Sequence, residues 1–175
     1  MLDAPLFPLP AREPNTTVDV EIRAATADDA SAILRMIRAL AICQDQEDEV
    51  TVTEEDILRD GFGPQPRFSA LIAERMGTAV GLAIYFETYS TWEGCPGLCI
   101  HDLFVAEELR GKGVGQALIH RLSEIAVRRG CSHVHLNVMH ANKARDFYDR
   151  LGFAHKDDQL TYRLSGDAFR LMTAA

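Results

Sequence analysis

No stretch of this 175-residue chain is apolar for long enough to span a membrane. The four cysteines (Cys43, Cys95, Cys99 and Cys131) show no C-x-x-C spacing, and Cys95 and Cys99 find no matching second pair. A disulfide framework and a metal centre are therefore not expected, and reduced thiols in a cytoplasmic setting are. Positive charge is also short, with 18 Lys and Arg against 26 Asp and Glu and a net charge of −8. No basic face emerges, so nucleic acid is not the expected partner, whereas a small cationic ligand is compatible. There is no internal repeat and no second apolar-to-polar composition shift, which leaves one domain. Residues Met1 to Thr17 hold four prolines and lack a charged start followed by an apolar run. They read as a tail, not a secretory signal, ahead of a single domain over residues 18–175.

What the chain does have is concentrated in the run from Leu103 to Leu118. An apolar strand ending in Leu103, Phe104 and Val105 enters a turn made of Arg110, Gly111, Lys112, Gly113, Val114, Gly115 and Gln116, and the turn opens a helix. The first turn of a helix carries unpaired N–H donors and partial positive charge, so it suits a phosphate or pyrophosphate. Glycines let the ligand approach the backbone, and Arg110 and Lys112 add charge. A Walker loop is excluded because Gly113, not Ser or Thr, follows Lys112. A dinucleotide fingerprint is excluded because Gln116 stands where its third glycine belongs.

Around this run the pattern alternates between strands and helices. Val18 to Arg23 reads as a strand, and Thr26 to Asp29 as a capping box. The next stripe, Ala30, Ile33, Leu34, Ile37, Leu40 and Ala41, is helical. A second cap at Thr53 opens a short helix that stops at Asp60-Gly61-Phe62-Gly63-Pro64. Residues 69–74 and 79–87 form two strands around a Met76-Gly77 turn, and residues 98–105 form a fourth. The helix after the loop is followed by a strand at 132–138 and a short helix at 144–151. A last strand is expected at 160–164, with another before it at 153–156. The expectation is a mixed α/β (α+β) fold, with a mostly antiparallel sheet of six to seven strands and about four helices.

The pattern Arg110-x-x-Gly113-x-Gly115 resembles the coenzyme A pyrophosphate loop of the GNAT N-acetyltransferase superfamily. Phe147-Tyr148 followed by Leu151-Gly152-Phe153 resembles that superfamily's second signature, and the order of elements is also the same. A closer resemblance, to the diamine (spermidine/spermine) and thialysine acetyltransferases, is carried by Ile22-Arg23, Ile33-Leu34-Arg35, Thr53-Glu54, Asp60-Gly61-Phe62-Gly63, Tyr89, Trp92 and Asp102. The resemblance implies acetyl-CoA as cofactor, with its pantetheine along Leu103 to Val105 and its pyrophosphate on Arg110 to Gln116. It also implies a homodimer and a small amine substrate. Asn142 is a further candidate coenzyme contact, although it stands one residue closer to Tyr148 than the superfamily's usual spacing.

The chemistry sets its own demands. An alkylamine with a pKa near 10.4 must lose a proton, at a cost of about 4.6 kcal/mol at neutral pH, and the departing thiolate must gain one. Tyr148 suits the second task, and its alternative is packing between helix and sheet. His101 stands where the diamine acetyltransferases carry an acidic base candidate. Its imidazole can take a proton directly or through water, or can simply bond to backbone. Adjacent strand residues point to opposite faces, so His101 and Asp102 can share a site only across a bulge.

The remaining substrate candidates are Gln44, Ser90, Trp92 and Asp102. Gln44 and Ser90 replace acidic residues of the diamine pattern, while Trp92 could pack on an aliphatic amine or its cation. Asp45, Glu47, Asp48 and Glu49 either restore negative potential or form a solvated loop. The expected activity is direct acetyl transfer to a small primary amine, an amino-acid amine, thialysine-like compound or polyamine. The alternatives are protein or peptide N-acetylation and a non-catalytic acyl-CoA-binding regulator.

Overall fold

The computed structural model describes residues 17–156 and 161–173. The expected tail, apart from Thr17, lies outside the described residues. At the centre stand two long strands, β2 (Ser69–Arg75) and β3 (Thr78–Ser90). Met76 and Gly77 join them, both at positive φ (50° and 75°), the two-residue turn whose twist matches that of flanking strands. β1 (Glu21–Ala24) pairs antiparallel with β2, and β4 (Cys95–Val105) pairs antiparallel with β3. β5 (Val134–Leu136) lies parallel to β4, giving the order β1-β2-β3-β4-β5.

Alternation along β2 and β3 divides the core between the two faces of the sheet. On one face Ala70, Ile72, Leu82 and Ile84 pack with Ala30, Ile33 and Met36 of α1 (Ala30–Ile42) and Ile57 of α2 (Glu54–Phe62). The other face receives α3 (Val114–Arg128), which buries Val114, Leu118 and Leu122. Gly81 sets how closely α3 approaches. A Cβ there would lie 3.0 Å from the Ala73 Cβ, 3.2 Å from the Phe104 carbonyl oxygen and 3.3 Å from Leu118 Cδ1. Burying each such Leu or Ile contributes about 1.5–3 kcal/mol, so these faces dominate the stability of the sheet.

Both expected caps are present. Thr26 donates its N–H to Asp29 Oδ2 at 2.8 Å, and Thr53 and Asp56 form the reciprocal pair at the start of α2. Asp29 is the one charged residue buried among those described, and Arg23 grips both its oxygens at 2.8 Å. That guanidinium holds the Asp29 carboxyl down at about 2. The α1 stripe splits in two. Ala30 and Ile33 are buried with Met36, whereas Ile37, Leu40 and Ala41 are only half-buried and line a cavity.

The chain groups into two units, one ending at Met139 and one starting at His140. In the second, α4 (Arg145–Arg150) is followed after Gly152 by residues 153–156 without regular structure, and α5 (Gly166–Thr173) closes the described chain. The sheet therefore has five strands among the described residues, not six to seven, and there are five α-helices, not about four. The strand expected at 153–156 is absent, and of the one expected at 160–164, Leu160 lies outside the described residues and the rest is not strand. Tyr162 and Leu164 keep a strand-like alternation, yet Tyr162 is 91% exposed and residues 161–164 join no sheet among the described residues. Alternation marks a segment that fits a sheet, but only a neighbouring edge makes it a strand.

Candidate active site

β4 carries one half of the site past its partner. Its pairing with β5 stops at Ile100, while its pairing with β3 continues to Val105. Ala106 donates its N–H to Val80, so by alternation the backbone groups of Leu103 and Val105 face the edge that β5 has left. Phe104 instead packs on the α1/α2 face. An extended chain with amide groups can add to this open edge as a further strand would.

The turn that follows is anchored by Leu109, which is buried, and rises through a short 3₁₀ turn at Glu107–Leu109. Gly111 and Gly113 have φ of 74° and 86°, a backbone that side chains rarely adopt. Gly113 caps α3, and the first intrahelical bond runs from the Ala117 N–H to the Gly113 carbonyl at 2.9 Å. The N–H groups of Val114, Gly115 and Gln116 precede that bond and have no partner within the helix. Val114 is itself buried, so only its backbone can serve a ligand. Arg110 donates from Nε to the Val105 carbonyl at 3.0 Å and from a terminal nitrogen to Cys43 Sγ at 3.2 Å. Lys112 is exposed, and its carbonyl accepts the Thr17 N–H. A pyrophosphate fits this cradle because the donors are backbone groups, the glycines clear the approach, and both charges are cationic.

The second half is a cavity of about 520 Å³ between the end of α1, the segment leading to α2, and strands β3 and β4. Gln44, His101 and Asp102 all line it. The bulge that His101 and Asp102 would need is present: Ile84 pairs with Asp102 but Tyr85 pairs with Ile100, leaving His101 as the extra residue. The local kink brings His101 Nδ1 within 3.2 Å of Asp102 Oδ2. The Asp102 carboxylate raises the His101 imidazole above its ordinary value, against the opposing effect of burial. His101 is still 64% exposed and lies 6.0 Å, ring to ring, from Phe86. With Nδ1 engaged by the carboxylate, Nε2 is the nitrogen left to accept a proton.

Ser90 and Trp92 do not line this cavity. Ser90 builds the β3–β4 turn, where its hydroxyl accepts the Glu93 N–H at 3.1 Å and its carbonyl accepts that of Gly94. Trp92, at the tip of the turn, is 99% exposed. In the second unit, Asn142 Oδ1 accepts the Ala144 N–H at 2.8 Å, a turn that starts α4. Tyr148 is half-buried on α4, edge-on to Phe147 and Phe153, and burial pushes its phenol up.

Among the cavity residues that sequence reasoning did not read as site members are Arg67, Phe86 and Gln46. None sits in a motif, and Arg67 lies in the loop just before β2. Glu49, read only as part of an acidic run, also lines the cavity. All four cysteines are free thiols, and among the described residues no cluster of His, Cys, Asp and Glu could hold a metal ion. No helix among these residues is long and apolar enough to cross a membrane.

An open β4 edge running into a glycine cradle at a helix N-terminus, with a histidine-bearing cavity on the same sheet, suits an acyl-CoA-dependent transferase. Residues 34–153 match the family model described as the acetyltransferase (GNAT) family, and the chain belongs to that family. It is 36% identical to the thialysine N-epsilon-acetyltransferase of Bos taurus, over 86% of this chain and 95% of that protein. It is 39% identical to the human spermidine/spermine N(1)-acetyltransferase-like protein 1, over 71% of this chain and 19% of that longer protein. Among solved structures, an integron cassette protein from V. cholerae superposes with a TM-score of 0.76 at 21% identity, over 90% of this chain and 99% of that one. The protein is an N-acetyltransferase that uses acetyl-CoA as acyl donor.

Proposed function

We propose that the enzyme transfers acetyl directly to a small primary amine bound in the cavity that His101 and Asp102 line. The observation that carries this is the His101–Asp102 contact of 3.2 Å on the β4 bulge, which leaves a base facing an acceptor-sized space. Acetyl-CoA supplies an activated thioester. His101 takes the proton that the amine sheds, directly or through water, while Asp102 fixes its tautomer. Tyr148 is the proposed acid for the departing thiolate; a phenol pushed up by burial keeps its proton at neutral pH and can donate it. Leu103 and Val105 would pair with the pantetheine, and Arg110 to Gln116 would hold the pyrophosphate. Asn142 keeps an amide NH₂ for a coenzyme contact, its oxygen being engaged in the turn.

Relatives named for thialysine and for spermidine/spermine support an amine acceptor carried on a short flexible chain. The same reading places the protein in the cytoplasm, where its free thiols persist, and pairs it with a second copy. Ser90 and Trp92, remote from the cavity in one chain, would then act on substrate only through such an assembly.

The test is acetyl-CoA consumption across polyamines, thialysine, lysine, aminoglycosides and peptides. Turnover is expected with a small amine, and Tyr148→Phe should lower kcat roughly 10²-fold while leaving acetyl-CoA affinity close to wild type. Turnover with peptides alone would assign the enzyme to protein acetylation instead.

A further inference from the structure

We propose that Arg67 is a specificity-determining residue of the acceptor cavity: it makes the enzyme prefer an amine with a carboxylate at its far end over the diamine that lacks that carboxylate. This rests on the reading of that cavity as the acceptor site.

Arg67 lines the same cavity as His101 and Asp102. Its main chain is tied down, because its N–H donates to the Asp60 carbonyl at 2.6 Å. Its side chain is 80% exposed and is held through Nε of the guanidinium, which donates to Asp60 Oδ1 at 3.2 Å. Both oxygens of Asp60 also accept from Arg59, at 3.2 and 2.6 Å, so that carboxylate is shared between two guanidinium groups. The bond to Asp60 leaves the two terminal nitrogens of Arg67 for another acceptor. A guanidinium presents those nitrogens as a fork whose spacing matches a carboxylate.

The rest of the lining suits a molecule with two polar ends. Ile37, Leu40, Val52 and Phe86 give an apolar stretch that would cover a methylene or thioether chain. Glu49 and Asp102 bring two negative charges and Arg67 one positive, which leaves the lining at −1 with a neutral imidazole. An ω-amino acid of the lysine type carries two ammonium groups and one carboxylate, so its net +1 complements that lining. A diamine of the same length has the same far ammonium but offers no group to the fork, so Arg67 opposes that charge with no carboxylate to offset it.

The experiment compares lysine with cadaverine, which differ by that one carboxylate, using acetyl-CoA turnover by the full-length enzyme. Wild type should show a kcat/KM about fivefold higher for lysine, equivalent to about 1 kcal/mol. Arg67→Ala should lose about fivefold on lysine and stay within twofold on cadaverine. Arg67→Lys should recover part of the loss, and Arg67→Glu should invert the preference. Thermal unfolding of each variant guards against a folding defect, and Arg67→Lys, which keeps the charge, remains informative should Arg67→Ala fail to fold. A wild-type ratio within twofold, an equal loss on both substrates in Arg67→Ala, or turnover of other amines but neither of these would overturn the assignment of Arg67 alone. Absence of turnover with every amine would instead overturn the acceptor reading, and the role of Arg67 with it.

Discussion

The two halves of the proposed site are built from different material. The proposed donor half, from Leu103 to Gln116, is one continuous segment that offers backbone N–H groups, an open strand edge and two glycines at positive φ. The acceptor half gathers side chains from α1, the segment after it, the loop before β2, and strands β3 and β4. A backbone cradle recognises what every acyl-CoA enzyme shares, the pyrophosphate and pantetheine, and tolerates change in most surrounding side chains. A wall of separate side chains can change its substrate one residue at a time without disturbing the cradle. Arg110 touches both halves through its bonds to Val105 and Cys43, which places the end of α1 within reach of the donor loop.

The comparison breaks most sharply at Gly113. An aspartate there would have to adopt a φ near 86° and would set a carboxylate at the mouth of the cradle. Left-handed backbone costs an L-residue roughly 1–2 kcal/mol, a sum that a domain of this size can absorb. Gly113→Asp should therefore abolish coenzyme A binding by calorimetry while the protein still unfolds cooperatively. Gly113→Asn, which tolerates that backbone without the charge, should retain measurable affinity. Equal, undiminished affinity in both would show that the cradle does not hold the pyrophosphate.

On the acceptor side the informative change is smaller. Asp102→Asn keeps a hydrogen-bond acceptor for His101 but removes the charge that raises its pKa. A base works when unprotonated, so kcat falls as pH drops through the His101 pKa. Removing the carboxylate lowers that pKa, and the acidic limb of the pH–kcat profile should move to lower pH. The loss in maximal kcat should stay below the roughly 10²-fold that loss of the base itself would bring. A limb that stays in place would mean that another group limits the rate, and His101→Gln would then leave the profile unchanged as well.

Legibility in the sequence followed the same division. The positive-φ glycine turn ahead of α3 could be read because its residues are contiguous, and the helix caps at Thr26 and Thr53 could be read because they span four positions each. The bulge at His101 could be stated only as a condition, since whether β4 gains a residue against β3 is fixed by the register of two strands. Arg67 left no trace, because its place in the cavity depends on how the loop after α2 folds back to Asp60. The C-terminal strand failed for a related reason: the alternation of Tyr162 and Leu164 is real, but the sequence does not say that a neighbouring edge is available. The helix at Gly166–Thr173 was not read because, unlike the equally short segment 144–151, it carries no signature that a resemblance picks out.

The smallest expected effect separates residues that the diamine resemblance had grouped together. Gln44 and Ser90 both stand where that pattern has acid, yet only Gln44 lines the cavity, while Ser90 is spent on the β3–β4 turn. A carboxylate added at a partly exposed position is worth about 1 kcal/mol of screened attraction to an ammonium, close to fivefold. Gln44→Glu should therefore raise kcat/KM for spermine about fivefold relative to that for a small monoamine. Ser90→Asp should move the same ratio less than twofold if one chain completes the site. A larger response at Ser90 than at Gln44 would mean that the hairpin tip with Trp92 reaches substrate after all. In a single chain the tip is removed from the cavity lining, so that result would require a second copy to bring it there. Repeating the ratio over a wide range of protein concentration would then decide the matter, because a contribution from a partner must fade on dilution whereas that of Gln44 must not.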